Sequence, residues 1–405
     1  MHFNPFSLVV FMNGLDELGD VKGKTLLVRV DLNSSIEGGK VVGGPRFEVH
    51  AETVRELSSK GAKVVLLAHQ GRPGKKDFAS LKGHAKVFGK SAKRKVKFFD
   101  ELFSERVLSK IAKMTNGKIF LLENTRFYAE EDLGSPETLM VKQLSGVADA
   151  FVLDAFSVAH RPHTSVVGFS GVLPCFAGRA LAKEFEALSK LKMPERPVTY
   201  CLGGAKMEEV LSLLETSLPG GTVDRVLCSG VAGELFLLAK GVDLGAKKGF
   251  LEEKGFTQHL PRFKKLLEEY GEKIVLPEDF AFEDKDGFRV ELDLEQVPKV
   301  GKPVFDVGSR TIKGFKKIIR DSATVFVKGP AGMYEKPCFE AGTQQLFKAV
   351  ASCKGFTVVG GGDTGTALKK LGVRASRFGY VSTSGGAMLE FLAGRKLPGL
   401  EALND

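Results

Sequence analysis

Several features that would place a chain in a special structural class are absent from this sequence. It has no tryptophan, no apolar run long enough to cross a membrane, and no internal repeat or low-complexity segment. Its five cysteines are scattered without the spacing of a metal site or redox motif, so we expect reduced thiols in a cytoplasmic protein. The first eleven residues lack the basic start and the small-residue cleavage site of a signal peptide.

The chain is long enough for two domains, and its first half is basic. A length of 405 residues exceeds what one ordinary hydrophobic core supports. The net charge is +10; residues 1–185 carry +7 (27 Lys and Arg against 20 Asp and Glu) and the remainder carries +3 (32 against 29). This excess fits an anionic small substrate, with nucleic acid as the other possible class of partner. Because no stacking motif is present and the basic run 90–97 is typical of a solvated surface, we expect no nucleic-acid partner. We also expect no membrane partner, and we expect a monomer, with a dimer left open.

Short β-rich runs alternate with helical patterns along the whole chain, which predicts an α/β fold with parallel sheets. Strands are predicted at 25–30, 63–67, 97–99, 119–122 and 150–153, and again at 198–202, 225–228, 274–276, 323–327, 356–359 and 378–382. A helix from about residue 178 to 192 carries the predicted domain boundary. We therefore expect a first domain of residues 1–185 and a second of residues 186–389.

Polar residues follow nearly every predicted strand of the first half. These residues are Asp31 and Asn33, His69 and Arg72, Arg126, and Arg161, while Arg46 opens a helix. The carboxyl ends of parallel strands meet at one sheet edge, where α/β proteins bind ligands. A single arginine is more often a surface ion pair, but this set indicates one pocket for a carboxylate or phosphate, which the guanidinium fork binds bidentately.

The segment 357–372, TVVGGGDTGTALKKLG, has the pattern of a strand, a glycine turn and a helix that begins at Gly365. Backbone N–H groups and the helix dipole at such a turn attract phosphate. Asp363 would repel that phosphate unless a cation lies between them, so we expect a nucleotide carrying Mg²⁺. A tight turn with Asp363 as an ordinary N-cap is the alternative. Glycine-rich strand ends recur at 203–206, 229–230, 328–335 and 384–387, although each alone is typical of a plain turn.

Two familiar nucleotide motifs match only in part. Gly360-x-Gly362-x-x-Gly365 fits the dinucleotide fingerprint, but the next strand ends in Ser-Thr-Ser-Gly-Gly where an acidic residue is needed. The segment 19–25 is one residue too short for a P-loop and precedes a strand instead of following one.

These features favour phosphoryl transfer to a carboxylate. The sequence shows no Ser-His-Asp or Cys-His pattern, and phosphoryl transfer needs little beyond positioning and charge neutralisation. An alcohol acceptor usually requires a general base, whereas a carboxylate is already ionised at pH 7. The residues themselves leave three alternatives open: a kinase for another carboxylate, a dinucleotide-dependent dehydrogenase, and a catalytically silent binding or nucleic-acid-associated protein.

Eight segments, in order along nearly the whole chain, resemble the 3-phosphoglycerate kinases. They are LVRVDLN, AHQGRPG, LLENTRFY, DAFSVAHRPH, LGGAK, KGPAGMYE, VVGGGDT and STSGGAMLEFLAGRKLPGL, of which AHQGRPG resembles the archaeal branch. The resemblance implies reversible phosphoryl transfer between Mg-ATP and the carboxylate of 3-phosphoglycerate, giving 1,3-bisphosphoglycerate and ADP in glycolysis and gluconeogenesis. It also implies two doubly wound parallel-sheet domains that face each other across a hinged cleft and close on their substrates, with residues 390–405 packed back on the first domain.

The resemblance further implies a role for each matching residue. Arg46 and Lys206 would meet the transferring phosphoryl group from opposite sides, with Gly362 and Gly385 at helix N-termini as further donors. The implied substrate-binding residues are Asp31, Leu32, Asn33, Arg46, His69, Gln70, Gly71, Arg72, Arg126 and Arg161. The implied nucleotide-binding residues are Gly204, Ala205, Lys206, Gly230, Gly329, Glu335, Gly361, Gly362, Asp363 and Thr364, of which Asp363 would also hold Mg²⁺ and Glu335 the ribose.

Three positions depart from the family pattern. Val210 stands where many members have a second lysine, four residues after the lysine that matches Lys206. Lys328 replaces the asparagine that is common before the Gly-Pro pair, and Ser309 replaces the usual proline. These departures bear on nucleotide affinity and base preference, and they leave the implied transfer residues unchanged.

Overall fold

The computed structural model describes residues 12–404, with Asp363 described by its backbone alone. The chain divides into two compact units. Unit 1 runs to Glu186 and resumes at Arg395, and unit 2 runs from Ala187 to Gly394.

Unit 1 is built on a six-stranded parallel sheet. Its strands are β1 (Thr25–Arg29), β2 (Ile36–Glu37), β3 (Lys40–Val41), β4 (Lys63–Leu67), β5 (Val96–Phe98), β6 (Ile119–Leu121), β7 (Ala150–Leu153) and β8 (Cys175–Ala177). The sheet order is β5-β6-β4-β1-β7-β8, and β2 pairs with β3 as a separate antiparallel hairpin. Central strands such as β1 and β7 are buried throughout, which is why they appear in the sequence as continuous apolar runs.

Helices cover this sheet and complete the core of unit 1. They are α1 (Pro45–Ser59), α2 (Lys82–Ala92), α3 (Glu105–Ala112), α4 (Leu139–Ser145), α5 (Thr164–Val167) and α6 (Arg179–Lys192), with a further short helix at Pro398–Glu401. Helix α1 starts with proline at its first position and buries Phe47, Ala51, Val54 and Leu57, whose spacing of three and four places them on one face. Helix α6 runs across the division between the two units.

Unit 2 contains a second six-stranded parallel sheet and a smaller antiparallel one. Its strands are β9 (Val198–Leu202), β10 (Arg225–Cys228), β11 (Ile274–Val275), β12 (Asp279–Glu283), β13 (Arg289–Asp293), β14 (Val304–Val307), β15 (Thr324–Lys328), β16 (Phe356–Gly360) and β17 (Tyr380–Val381). The parallel order is β11-β10-β9-β15-β16-β17, and the antiparallel order is β13-β12-β14. The helices are α7 (Met207–Ser217), α8 (Gly230–Ala239), α9 (Ala246–Glu253), α10 (Leu260–Tyr270), α11 (Ser309–Arg320), α12 (Ala341–Ala351), α13 (Gly362–Lys370) and α14 (Gly386–Leu392).

The α/β class predicted from the sequence is confirmed, since both large sheets are parallel and helices connect their strands. All eleven predicted strands are present, with ends that differ by two residues at most. The hairpin β2–β3, strand β8 and the antiparallel sheet of unit 2 were not predicted. The expected helix start at Gly365 is wrong by three residues, because Gly361 alone makes the turn with a φ of +96° and α13 begins at Gly362.

Two composition-based expectations can also be compared with the structure. In residues 12–404, no helix combines the length and the apolar character that crossing a membrane requires. The five cysteines form no disulfide within the described chain, and three of them (Cys175, Cys201 and Cys228) are buried.

Candidate active site

The carboxyl edge of the unit 1 sheet carries the polar loops that the sequence places after its strands. Strand β1 leads into Asp31 and Asn33, β4 into His69 and the following loop, and β6 into Arg126. Because β4, β1 and β7 are neighbours in the parallel sheet, their loops leave from the same edge.

Arg29, the last residue of β1, is fully buried and fixes the state of the His69 imidazole. Its Nη2 lies 3.0 Å from His69 Nδ1, while its Nε donates to Ser165 Oγ at 2.8 Å. A guanidinium can only donate, so Nδ1 accepts and the proton of the neutral imidazole lies on Nε2. Burial, and then the charge of Arg29, lower the pKa of His69 well below its ordinary value. His69 is therefore a neutral N–H donor at the strand end.

Asp31 and Asn33 hold Arg46 at the start of α1. Arg46 Nη1 donates to the Asn33 carbonyl at 2.8 Å and lies 3.3 Å from Asp31 Oδ2. Burial alone would raise the pKa of Asp31, but the charge of Arg46 and a hydrogen bond from Ser157 outweigh it and the pKa is lowered. The Asn33 Oδ1 accepts from the Gly71 N–H at 2.8 Å, which fixes the orientation of the amide. A cation at a helix N-terminus opposes the helix dipole, so a bound anion would relieve the position of Arg46.

Guanidinium groups crowd together beside these residues. We define the basic cluster as Arg29, Arg72, Arg126 and Arg161. Burial, followed by the charges of Arg29 and Arg161, lowers the pKa of Arg126 to about 10, and Glu131 opposes this effect. Burial and the charges of Arg29, Arg126 and Arg161 also lower the pKa of His163 to about 3. Cations that lower one another's pKa values in this way create a field that favours a multiply charged anion.

Two of the predicted substrate-binding residues have side chains that already contact other parts of unit 1. The Gln70 amide donates to the carbonyls of Ser34 and Asp77, both at 3.0 Å, and its Oε1 accepts from the Ser34 N–H and lies 2.9 Å from His84 Nε2. Leu32 is fully buried in the core, so its backbone is the part that could meet a ligand. The other predicted members of this set lie on the sheet-edge loops: Asp31, Asn33, His69, Gly71, Arg72, Arg126 and Arg161, with Arg46 beside them.

Sequence reasoning missed Arg29 and the residues that anchor it. Glu131 lies 3.9 Å from Arg29 Nη2, and it accepts from Ser165 Oγ at 2.7 Å and from Thr125 Oγ1 at 2.9 Å. The sequence did contain one signal, which is an arginine inside the apolar run TLLVRVDL. A charged side chain is stable in a buried central strand only when other side chains pair with it. The identity of those partners depends on the tertiary fold.

In unit 2, four helices begin at the carboxyl edge of the parallel sheet. Helices α7, α8, α13 and α14 follow strands β9, β10, β16 and β17, with connections of one to four residues. Each connection brings the N–H groups of a first helical turn to this edge. Four helix N-termini at one sheet edge create a positive potential that favours phosphate.

The strand-end loops at this edge contact one another through backbone atoms. We define their glycines as the glycine edge, which consists of Gly203, Gly204, Gly230, Gly329 and Gly361. The Gly203 N–H donates to the Lys328 carbonyl at 2.8 Å, and the N–H groups of Gly204 and Gly230 donate to the carbonyls of Pro330 and Ala331, both at 2.9 Å. A Cβ at Gly203 would lie 2.1 Å from the Pro330 carbonyl oxygen, and one at Gly329 would lie 2.4 Å from that of Gly203. Side chains would therefore force these loops apart.

Two lysines stand at the glycine edge in different surroundings. Lys206 precedes the first residue of α7, and its side chain is exposed. Lys328 ends β15, is 6% exposed, and donates from Nζ to Glu209 Oε2 at 2.6 Å. The Thr364 hydroxyl donates to the Gly360 carbonyl at 2.8 Å and accepts from the Gly329 N–H at 3.1 Å, so it ties two loops together.

The remaining predicted residues of unit 2 lie on the same loops or next to them. Ala205 and Glu335 are exposed, Gly362 opens α13, and Gly385 precedes α14 with open space beside it. The side chain of Asp363 lies outside the described part of the structure. Within the described residues, no group of three or more His, Cys, Asp or Glu side chains could hold a metal ion.

Comparisons with known proteins identify the family that this chain resembles. The family model described as "Phosphoglycerate kinase" matches residues 15–395. A phosphoglycerate kinase of Methanococcus maripaludis is 42% identical over 95% of this chain and 96% of its own length, and one of Methanobacterium bryantii is 40% identical over 95% and 96%. The crystal structure of phosphoglycerate kinase from Pyrococcus horikoshii OT3 superimposes with a TM-score of 0.89 at 36% identity, covering 97% of this chain and 98% of that one.

Proposed function

The chain belongs to the phosphoglycerate kinase family, and from this premise we propose which of its residues bind the substrates and transfer the phosphoryl group. The reaction is the reversible transfer of a phosphoryl group between ATP and the carboxylate of 3-phosphoglycerate, which gives 1,3-bisphosphoglycerate and ADP. We propose that unit 1 binds the phosphoglycerate and unit 2 the nucleotide, in a cytoplasmic monomer without nucleic-acid or membrane partners.

The observation that carries the assignment of unit 1 is the crowding of the basic cluster. Arg72, Arg126 and Arg161 would hold the phosphate of 3-phosphoglycerate, because planar guanidinium groups bind phosphate oxygens bidentately. Arg46 would hold the carboxylate, since it already stands beside Asn33 with the correct charge for an anion. His69 would donate its Nε2 proton, and Gln70 would act by holding the loop rather than by touching the ligand.

The glycine edge supports the nucleotide assignment in unit 2. Loops without side chains let backbone N–H groups approach phosphate oxygens closely, and the N-termini of four helices add their partial positive charge. Gly361 and Gly362 would supply such N–H groups. Gly204, Gly230 and Gly329, whose N–H groups are hydrogen-bonded within the loops, would keep the loops free of side chains so that the nucleotide can approach. Ala205 and Thr364 would support the loops, and Glu335 would lie near the ribose. Lys206 would add a movable positive charge.

Mg²⁺ would arrive bound to the nucleotide. The family generally uses Mg-ATP, and a magnesium ion that keeps its water and phosphate ligands needs one or two protein carboxylates instead of a cage. Asp363 at the start of α13 fits that need by its chemistry and its place in the chain. When bound, the ion would neutralise charge on the phosphates.

The transfer step forms a bond between a carboxylate oxygen of 3-phosphoglycerate and the γ-phosphorus of ATP, and breaks the bond between that phosphorus and the bridging oxygen. The electron pair of the broken bond leaves with ADP, and no proton must be removed from the acceptor. Arg46, Lys206 and the amides at Gly362 and Gly385 would stabilise the charge on the transferring group, which is the main protein contribution to such reactions.

A coupled assay tests the proposed function directly. Purified protein is mixed with 3-phosphoglycerate, Mg-ATP, glyceraldehyde-3-phosphate dehydrogenase and NADH, and the loss of NADH absorbance is followed. We expect turnover that requires every component and that falls by about 10²–10³-fold in Arg46→Ala and in Lys206→Ala, the order of loss seen when one transition-state donor is removed. Full activity in Arg46→Ala, with nucleotide binding intact, would exclude Arg46 as a transfer residue.

A further inference from the structure

Lys328 ends β15, the strand that lies between β9 and β16 in the parallel sheet of unit 2. It is paired in register with Leu202 on one side and Gly360 on the other, so the loop that begins at Gly203 and the loop that begins at Gly361 flank it. A Cβ at Gly361 would lie 3.8 Å from Lys328 Nζ. The ammonium therefore stands within van der Waals reach of the turn that opens α13.

The surroundings of this ammonium are incomplete for a structural lysine. An ammonium has three hydrogens to donate, and a buried one is stable only when its hydrogens and its charge are satisfied. Among the side chains that the structure describes, Lys328 Nζ has one hydrogen-bond acceptor, Glu209 Oε2 at 2.6 Å. The Glu209 side chain is 31% exposed, whereas that of Lys328 is 7% exposed, so the carboxylate can turn to solvent at a lower cost than the ammonium can.

The sequence offers a reason for a lysine at this place. Position 210, where a second lysine is common in the family, is Val210, which is buried in α7 and cannot carry a charge to the glycine edge. Lys328, by contrast, ends β15 and its ammonium meets Glu209 of α7, so it brings a positive charge to the glycine edge.

We propose that Lys328 is a second phosphate-binding cation of the nucleotide site, held by Glu209 until the phosphate chain of ATP or ADP replaces that carboxylate. This inference rests on the proposed placement of the nucleotide in unit 2. Lys206 and Lys328 then contribute differently to the site: Lys206 is exposed, and Lys328 is buried between two glycine loops.

Substitutions of the two partners distinguish this role from a purely structural ion pair, because the two roles predict opposite effects for Glu209. If the pair only joins β15 to α7, Lys328→Met and Glu209→Gln both weaken the fold and neither improves binding. If Lys328 binds phosphate, Glu209→Gln removes its competitor. We then expect Glu209→Gln to lower the Kd for ADP several-fold and Lys328→Met to raise it more than tenfold.

The measurement is isothermal titration of the full-length protein with ADP in the absence and in the presence of Mg²⁺, supported by KM and kcat for ATP. Lys264→Met removes an exposed lysine of α10 and controls for the change in net charge. Weaker binding in both Lys328→Met and Glu209→Gln, or unchanged binding in Lys328→Met, would overturn the proposal.

Lys206→Ala is measured in parallel to separate this inference from the proposed function. If Lys206→Ala weakens ADP binding and Lys328→Met does not, the nucleotide assignment of unit 2 holds and Lys328 has no part in it. If neither substitution changes binding, the nucleotide assignment itself fails and the role of Lys328 fails with it. The double variant Lys328→Met/Glu209→Gln restores charge balance, and we expect its ADP affinity to stay as low as that of Lys328→Met.

Discussion

Arg29 determines which proton the His69 imidazole offers to a ligand, although Arg29 itself is fully buried. Its guanidinium is anchored by Ser165 and Glu131, so both the direction of the donor and its charge are fixed before any substrate arrives. Such preorganisation lowers the cost of binding, because no group must be ordered or turned when the anion enters. Arg29 would therefore act on a bound anion through His69.

Arg29→Met should change both the titration of His69 and the binding of 3-phosphoglycerate. Removing the buried charge removes the second-largest cause of the lowered pKa, so we expect the pKa of His69 to rise. We also expect KM for 3-phosphoglycerate to rise about tenfold or more, the effect of losing a hydrogen bond to a charged group, with KM for ATP unchanged. Imidazole ¹H–¹⁵N spectra across pH report the pKa and the tautomer together.

Arg29→Lys serves as the conservative comparison, because it keeps the charge and loses the fork that reaches His69 and Ser165 at once. An unchanged tautomer and pKa of His69 in Arg29→Met would show that Arg29 does not control the imidazole.

His84 should make stability depend on pH in a definite direction. Burial lowers the pKa of His84 to about 4, compared with about 6.5 in an unfolded chain. Between these values the unfolded state binds one more proton than the folded state, so the free energy of unfolding falls as the pH falls, by at most about 1.4 kcal/mol per pH unit. Below the folded-state pKa both states are protonated and the effect ends.

His84→Gln isolates this contribution, because every other titrating group is shared by the two proteins. Urea unfolding at pH 7.5, 6 and 5 should show that the free energy of unfolding falls less on acidification in the variant than in the wild type. The difference should reach at most about 1.4 kcal/mol per pH unit, which corresponds to one proton. Parallel pH profiles would contradict the assigned pKa.

At the level of single residues, the sequence predicted where polar residues lie along the chain, but it did not predict their hydrogen-bond partners. It placed Arg126 and Asp31 after strands of a parallel sheet because apolar runs and their ends are local features. It could not show that the Gln70 side chain is fully hydrogen-bonded within unit 1, or that Arg29 points toward His69. Those facts depend on which loops meet, which is a property of the sheet order. The binding of 3-phosphoglycerate and of the nucleotide by the predicted site residues stays a prediction.

Among the elements, long strands buried on both faces were predictable from the sequence, whereas the short hairpin β2–β3 was not. Strands β1, β4 and β9 are five-residue runs that are largely buried, whereas β2 and β3 have two residues each and carry no pattern. The antiparallel sheet of unit 2 was missed, although a turn at Asp284–Gly287 separates two alternating segments around Phe280 and Val290. Strand β12 of this sheet pairs with β14 across a β-bulge, which no local sequence pattern predicts.

The glycine edge makes a prediction about these elements, because its loops touch through backbone atoms. Gly329→Ala would place a Cβ 2.4 Å from the Gly203 carbonyl at a φ of +84°. We expect a loss of about 2–4 kcal/mol of stability, from the disfavoured φ together with the steric overlap, and a clear rise in the Kd for ADP. Chemical denaturation and ADP titration measure the two effects.

Gly241→Ala is the matched control, since Gly241 has a φ of +88° and open space around its Cβ position. We expect about 1–2 kcal/mol from the backbone conformation alone and no change in ADP binding. Equal losses in the two variants would show that the loop contact at Gly329 adds nothing to the strain of its φ.

At the scale of the whole molecule, the division into two units has a thermodynamic consequence. Each unit has its own hydrophobic core, centred on residues such as Val28 and Leu66 in unit 1 and Val325 and Val359 in unit 2. A ligand stabilises the folded region that binds it by RT ln(1 + [L]/Kd), about 2.7 kcal/mol at 100 times Kd. Backbone amides that exchange only when a unit unfolds should therefore report which ligand that unit holds.

We expect 3-phosphoglycerate at 100 times its Kd to slow exchange of the β1 and β4 amides about 100-fold, and ADP to do the same for β9 and β15. Hydrogen-exchange mass spectrometry of the full-length protein resolves both sets of peptides in one experiment. Arg126→Ala should abolish the protection of unit 1 alone, and Lys206→Ala should reduce that of unit 2 alone. If 3-phosphoglycerate instead protects unit 2 in the Arg126→Ala protein, the substrate binds unit 2 and not unit 1. The basic cluster would then not have its proposed role.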